Sequence, residues 1–118
     1  LPVVSTQNWH SYWPWEPVAD GWQIRAPDGV ALRLRVLHAP DARIETGPWG
    51  TDGNGRTVYR LRLITTLASE ARMLVAFDLR ASAAHPWPLD TATYDHKTAS
   101  ITLLRPGGAQ RGLNHLWR

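Results

Sequence analysis

The 118-residue chain has no cysteine, so disulfide stapling, thiolate catalysis and Cys-based zinc sites are all excluded. It has almost no lysine: twelve of its thirteen basic residues are arginine, and Lys97 is the exception. Those thirteen exceed the ten acidic residues by only three, and no Lys/Arg-rich block exists. The basic residues alternate with apolar ones, which is not the footprint of a nucleic-acid arm, so no nucleic-acid partner is expected. No apolar run approaches the roughly 18–20 residues needed to cross a bilayer, and no membrane span is expected either. Leu1-Pro2-Val3-Val4 brings neither an initiating Met nor a charged-then-apolar signal region. That opening, with the abrupt Leu116-Trp117-Arg118 end, reads as a domain cut from a larger protein.

What is present points to one packed domain. Hydrophobic residues make up 43% of the chain and include seven Trp, enough apolar surface to offset the entropy of ordering. Arginine's planar fork binds two oxygens at once and so suits carboxylate, sulfate or phosphate. An arginine-biased composition is also what a GC-rich genome produces.

Residues 1–20 differ from the rest. Trp9, Trp13 and Trp15 stand with Tyr12 among Pro14 and Pro17, which block a helix or a central strand, so an extended Trp/Pro-rich lead-in is expected. From Trp22 onward the period is two. Trp22, Ile24, Val30, Leu32, Leu34 and Val36 point one way and Arg25, Arg33 and Arg35 the other, with Pro27-Asp28-Gly29 as the turn of a hairpin over 21–38. Residues 42–46 form a short strand, and 47–55 read as a loop. Tyr59, Leu61 and Leu63 alternate with Val58, Arg60 and Arg62, and Met73, Val75, Phe77 and Leu79 repeat the pattern with Asp78 and Arg80 outside. A hairpin loop is the simplest link between those two strands. Further strands are expected at 91–95, 99–105 and 110–117, after a Pro- and His-bearing loop at 84–89. The result is an all-β chain: an antiparallel β-sandwich of about seven or eight strands spanning 21–118, with a partly open barrel as the alternative.

Chemistry is harder to place. None of His10, His38, His85, His96 and His115 forms a His-x-His or His-x-x-x-His pair, so no metal and no cofactor are expected. Asp52-Gly53-Asn54-Gly55 resembles the start of a calcium loop, but Thr57 and Leu63 stand where Gly and Glu are required, and a turn is expected. No nucleophile elbow, P-loop or dinucleotide fingerprint is present, and Asp90 and Asp95 fall on opposite faces of a regular strand. His10 with Tyr12, and Tyr94 with His96, are Tyr–His neighbours of the kind that exchange protons beside a uronate carboxyl; packing and surface roles are the alternative. Trp rings stack on sugars, and Trp15, Trp49 and Trp87 sit on Pro/Gly loops where little rotamer freedom is lost on binding. Arg33, Arg35, Arg60 and Arg62 form one basic face if their strands lie together, attracting uronates or sulfates. The competing readings are core packing for the indoles and a solvated sheet side for the arginines.

Gly21-Trp22-Gln23-Ile24-Arg25, Pro27-Asp28-Gly29, Leu32-Arg33-Leu34-Arg35-Val36-Leu37 and Tyr59-Arg60-Leu61-Arg62-Leu63-Ile64-Thr65-Thr66-Leu67 together resemble the C-terminal β-sheet region of heparinase II/III-like polysaccharide lyases. The likeness covers most of residues 20–105 and rests on strand texture and turn placement. It implies a periplasmic or secreted bacterial enzyme that cleaves acidic polysaccharide by β-elimination. The family's catalytic Tyr, His and Asn/Arg belong to other domains and match no position here. The expectation is therefore a non-catalytic domain that braces the parent's remaining catalytic domains and contacts acidic polysaccharide. An autonomous carbohydrate-binding module using exposed Trp and a structural interaction domain of a secreted protein are the rivals.

Overall fold

Pro27-Asp28-Gly29 closes a tight hairpin: Gly29 N–H donates to the Ala26 carbonyl at 3.0 Å, and Asp28 Oδ1 accepts from Val30 N–H at 3.1 Å. The hairpin joins β3 (Gly21–Arg25) to β4 (Ala31–His38), as its turn residues predict. The computed structural model describes residues 3–39, 41–67, 73–89, 91–104 and 110–113. All ten regular elements among them are strands: β1 (Val3–Ser11), β2 (Glu16–Val18), β3, β4, β5 (Arg43–Thr51), β6 (Thr57–Leu67), β7 (Leu74–Arg80), β8 (Thr91–Asp95), β9 (Ser100–Leu104) and β10 (Gln110–Leu113). They form three antiparallel sheets ordered β1-β6-β5, β2-β3-β4-β7 and β10-β9-β8. The class is all-β and sandwich-like, with no closed barrel among the described residues.

Two sheets enclose the core. Trp9, Tyr59, Leu61 and Ile44 on the inner face of β1-β6-β5 meet Trp22, Ile24, Leu32, Leu34 and Val36 on the inner face of β2-β3-β4-β7. Leu34, Leu61 and Leu63 are fully buried, each contributing about 1.5–3 kcal/mol of transfer free energy. The third sheet approaches the other face of β4, where the His38 ring lies 5.1 Å from that of Tyr94 and 6.2 Å from that of His96.

Three local expectations change. The lead-in supplies strands: β1 is an edge strand paired along all nine residues with β6, and β2 is pinned to β3 by Arg25 donating to both oxygens of Glu16. Residues 47–51, expected as loop, complete β5, because a bulge between Pro48 and Gly50 absorbs the irregular Gly/Pro chemistry without ending the ladder. β6 and β7 do not form a hairpin; β6 lies in one layer and β7 pairs β4 in the other. One glycine is fixed by close approach: a Cβ on Gly21 would drive into the Leu34 carbonyl.

Candidate functional site

The residues nominated from sequence separate into two groups. On the outer face of β4, Arg33 and Arg35 are buried rather than solvated, which corrects the expected external stripe. Arg33 grips Asp78 through two bonds, Nε to Oδ1 at 3.1 Å and Nη2 to Oδ2 at 2.8 Å. Arg33 and Arg35 both donate to the Leu89 carbonyl, at 2.6 and 2.8 Å. Trp87 is held against two guanidinium groups, those of Arg33 at 4.6 Å and Arg80 at 4.3 Å from its ring centroid. These residues knit the 81–89 segment onto β4 and β7, a structural use of cation–π and charge-assisted bonds. Trp15 is 7% exposed inside the core and cannot meet a sugar, a second correction. Trp117 and His115 lie outside the described residues.

Arg60 and Arg62 occupy the opposite side of the molecule, so the four arginines do not form one face. Strand alternation buries Tyr59, Leu61, Leu63 and Thr65 of β6 and turns Val58, Arg60, Arg62 and Ile64 outward. In register beside them stand His10, Asn8 and Thr6 of β1 and Gly47, Glu45 and Arg43 of β5. Arg62 Nε donates to Asn8 Oδ1 at 3.2 Å, whereas the Arg60 guanidinium has no hydrogen-bond or ion-pair partner among the described residues. No atom lies within 4 Å of where a Cβ would stand on Gly47, so bare backbone flanks Arg60.

Near this face opens a cleft of about 390 Å³ lined by His10, Ser11, Tyr12, Trp49 and Val58. The bulge that extends β5 also frees Trp49, which is 56% exposed and lies 4.9 Å from the His10 ring. The β5–β6 turn lies beside Tyr12. Asp52 Oδ1 accepts the backbone N–H groups of Asn54 at 2.8 Å and Arg56 at 2.9 Å, and Gly55 takes a positive φ of 80° that its missing Cβ permits. The Asp52 oxygens thus close a turn, and no group of three His, Cys, Asp or Glu able to hold a metal occurs among the described residues. The Arg56 guanidinium stands 4.1 Å over the Tyr12 ring and 5.6 Å from Trp13.

The Arg56 and Asn54 backbone N–H groups, and then the Tyr12 hydroxyl, hold the Asp52 carboxyl below its usual range. Hydrogen bonding to Asp52 and the charge of that carboxylate push the Tyr12 phenol up. His10 and Tyr12 do share one cleft, as their alternation predicts, but a tyrosine held protonated is the reverse of a poised base. The second pair, Tyr94 and His96, gathers around His38 between sheets instead.

No family model, curated protein or solved structure matches this chain. Sequence reasoning had Trp49, Arg60 and Arg62 but missed Arg56, whose cation–π partners are brought to it by the β1–β6 ladder.

Proposed function

We propose that this domain is a non-catalytic module that holds acidic polysaccharide against the outer face of β1, β6 and β5, with Trp49 as the stacking platform. The observation that carries the reading is the juxtaposition of exposed Trp49, its neighbour His10 and the unpartnered Arg60 beside bare Gly47. A sugar ring on the indole gains area burial and C–H contacts, while an arginine fork meets a carboxylate or sulfate with paired bonds. Arg43, Arg60 and Arg62 outnumber Glu45 on this strand face, which favours an anionic chain.

In this reading the domain serves a heparinase II/III-like lyase outside the cytoplasm, steadying substrate beside catalytic domains. A single exposed indole among the described residues fits that auxiliary role better than an autonomous module, which would present a row of rings. Calorimetric titration with heparin, alginate and a neutral glucan at low and moderate salt tests it. Saturable, salt-sensitive binding of the acidic chains alone is expected, weakened about tenfold by Trp49→Ala, a loss of about 1.4 kcal/mol. No heat with any of the three glycans removes the reading and leaves a purely structural domain.

A further inference from the structure

His10 and Trp49 belong to the two outer strands of the β1-β6-β5 sheet, yet their rings lie 4.9 Å apart, so they meet across the central strand. In register His10 stands directly opposite Arg60, which puts their Cβ atoms about 4.5–5.5 Å apart on one face. The imidazole is exposed and makes no hydrogen bond or ion pair among the described residues. The charges around it are few. β6 presents Arg60 opposite and Arg62 in the next outward row, where Arg62 is tied to Asn8. β5 has Gly47 in the row of His10, and its Glu45 stands beside Arg62. Past the end of β1, Tyr12 donates its hydroxyl to Asp52 and lies under Arg56. Asp52 is further occupied by the Asn54 and Arg56 backbone N–H groups. No carboxylate among the described residues pairs with His10, so a proton on its ring adds a second cation beside Arg60.

We propose that His10 in its protonated form is the second ligand, beside Arg60, of a sulfate group on the bound glycan, so that this face captures sulfated polysaccharide more tightly in mildly acidic medium. The inference rests on the reading of this face as a glycan platform. Imidazole is the side chain whose ordinary titration falls between pH 5 and 8. Once charged, the ring donates N–H to one sulfate oxygen while the Arg60 fork takes the other two, and its separation from Trp49 lies within cation–π reach. A sulfate offers three terminal oxygens for these three bonds, whereas a carboxylate offers two. Without glycan the two cations repel across the strands, and a sulfate set between them removes that repulsion. Proton and glycan therefore favour one another, each strengthening the other's binding by the same factor.

Heparin is the probe, because its sulfates stay ionised throughout this range. Calorimetric titration of the whole chain should show affinity about tenfold higher at pH 5 than at pH 8. His10→Gln, a change at an exposed position, should keep the melting temperature and the pH 8 affinity and lose the gain in acid. His85→Gln, on the segment over β4 and β7, should keep the gain. Proton NMR of the His10 ring should show its titration midpoint rising by about one pH unit when heparin saturates the chain, the same tenfold read from the proton's side. Alginate, which carries carboxylates alone, should gain less than heparin, and an equal gain overturns the sulfate assignment. Heparin affinity that is equal at the two pH values overturns the proposal while leaving the glycan platform in place, as does a gain that survives His10→Gln. Absence of binding at both pH values removes the platform, and the proposal with it.

Discussion

Two strands of this protein carry the same alternation and meet opposite fates. Leu32-Arg33-Leu34-Arg35 in β4 and Arg60-Leu61-Arg62-Leu63 in β6 both place leucines on the core side. The arginines of β6 stay at the surface, because no described element lies over the outer face of the β1-β6-β5 sheet. Those of β4 are buried, because the 81–89 segment and the strand that follows lie over them. Arginine tolerates this because its fork satisfies Asp78 and a backbone carbonyl together. The lesson is that an alternating strand specifies which side chains share a face, while the number of layers decides whether that face is wet.

The contrast can be broken most severely at Asp78. Asp78→Ala leaves the Arg33 cation buried without its counter-charge, and denaturant unfolding should show a loss of about 3–5 kcal/mol. A loss below 1 kcal/mol would mean that water reaches this face after all. On the other strand, Arg60→Ala and Arg62→Ala should each move stability by no more than about 0.5 kcal/mol. Their effect belongs to binding: each should weaken heparin affinity by about tenfold, with full affinity in both variants locating the anion site elsewhere.

The smallest effect sharpens the comparison by pH. Asp52 is held below the ordinary carboxylate range, so its contribution to the β5–β6 turn is present above the unfolded-state value and fades only as pH falls through the lower folded one. Tyr12 is raised, so its contribution is present below the ordinary phenol value and is lost as pH climbs through the higher folded one. Amide NMR of Asn54 and Arg56 should therefore shift with a midpoint below the ordinary aspartate value, and Asp52→Asn should abolish that shift. A midpoint at the ordinary aspartate value would show that the turn does not engage the carboxylate.

Much of the fold was legible in sequence. The hairpin over 21–38, the inward row of β6 and the sandwich class follow from period-two patterning and turn chemistry alone. β1 was hidden because its residues alternate weakly, Ser5-Thr6-Gln7-Asn8 being polar on both faces, and only pairing with β6 makes it a strand. β5 was truncated because Gly47-Pro48-Trp49-Gly50 has the composition of a loop and the geometry of a bulge. Of the nominated site, Trp49, Arg60 and Arg62 lie near one another, while Trp15, Trp87, Arg33 and Arg35 serve packing. Sequence has no term for a third layer, and so reads a covered arginine and a bare one alike.

Gly21 has a consequence in heritable terms. Any single-base change that alters the meaning of a glycine codon either stops translation or installs a residue with a Cβ, and the Leu34 carbonyl blocks that atom. The neighbouring positions of the β2–β3 turn can drift among polar residues, but this one has no neighbouring state in sequence space that preserves the approach of β3 to β4. Among descendants of this chain, the turn at Gly21 is the fixed point around which the surface changes.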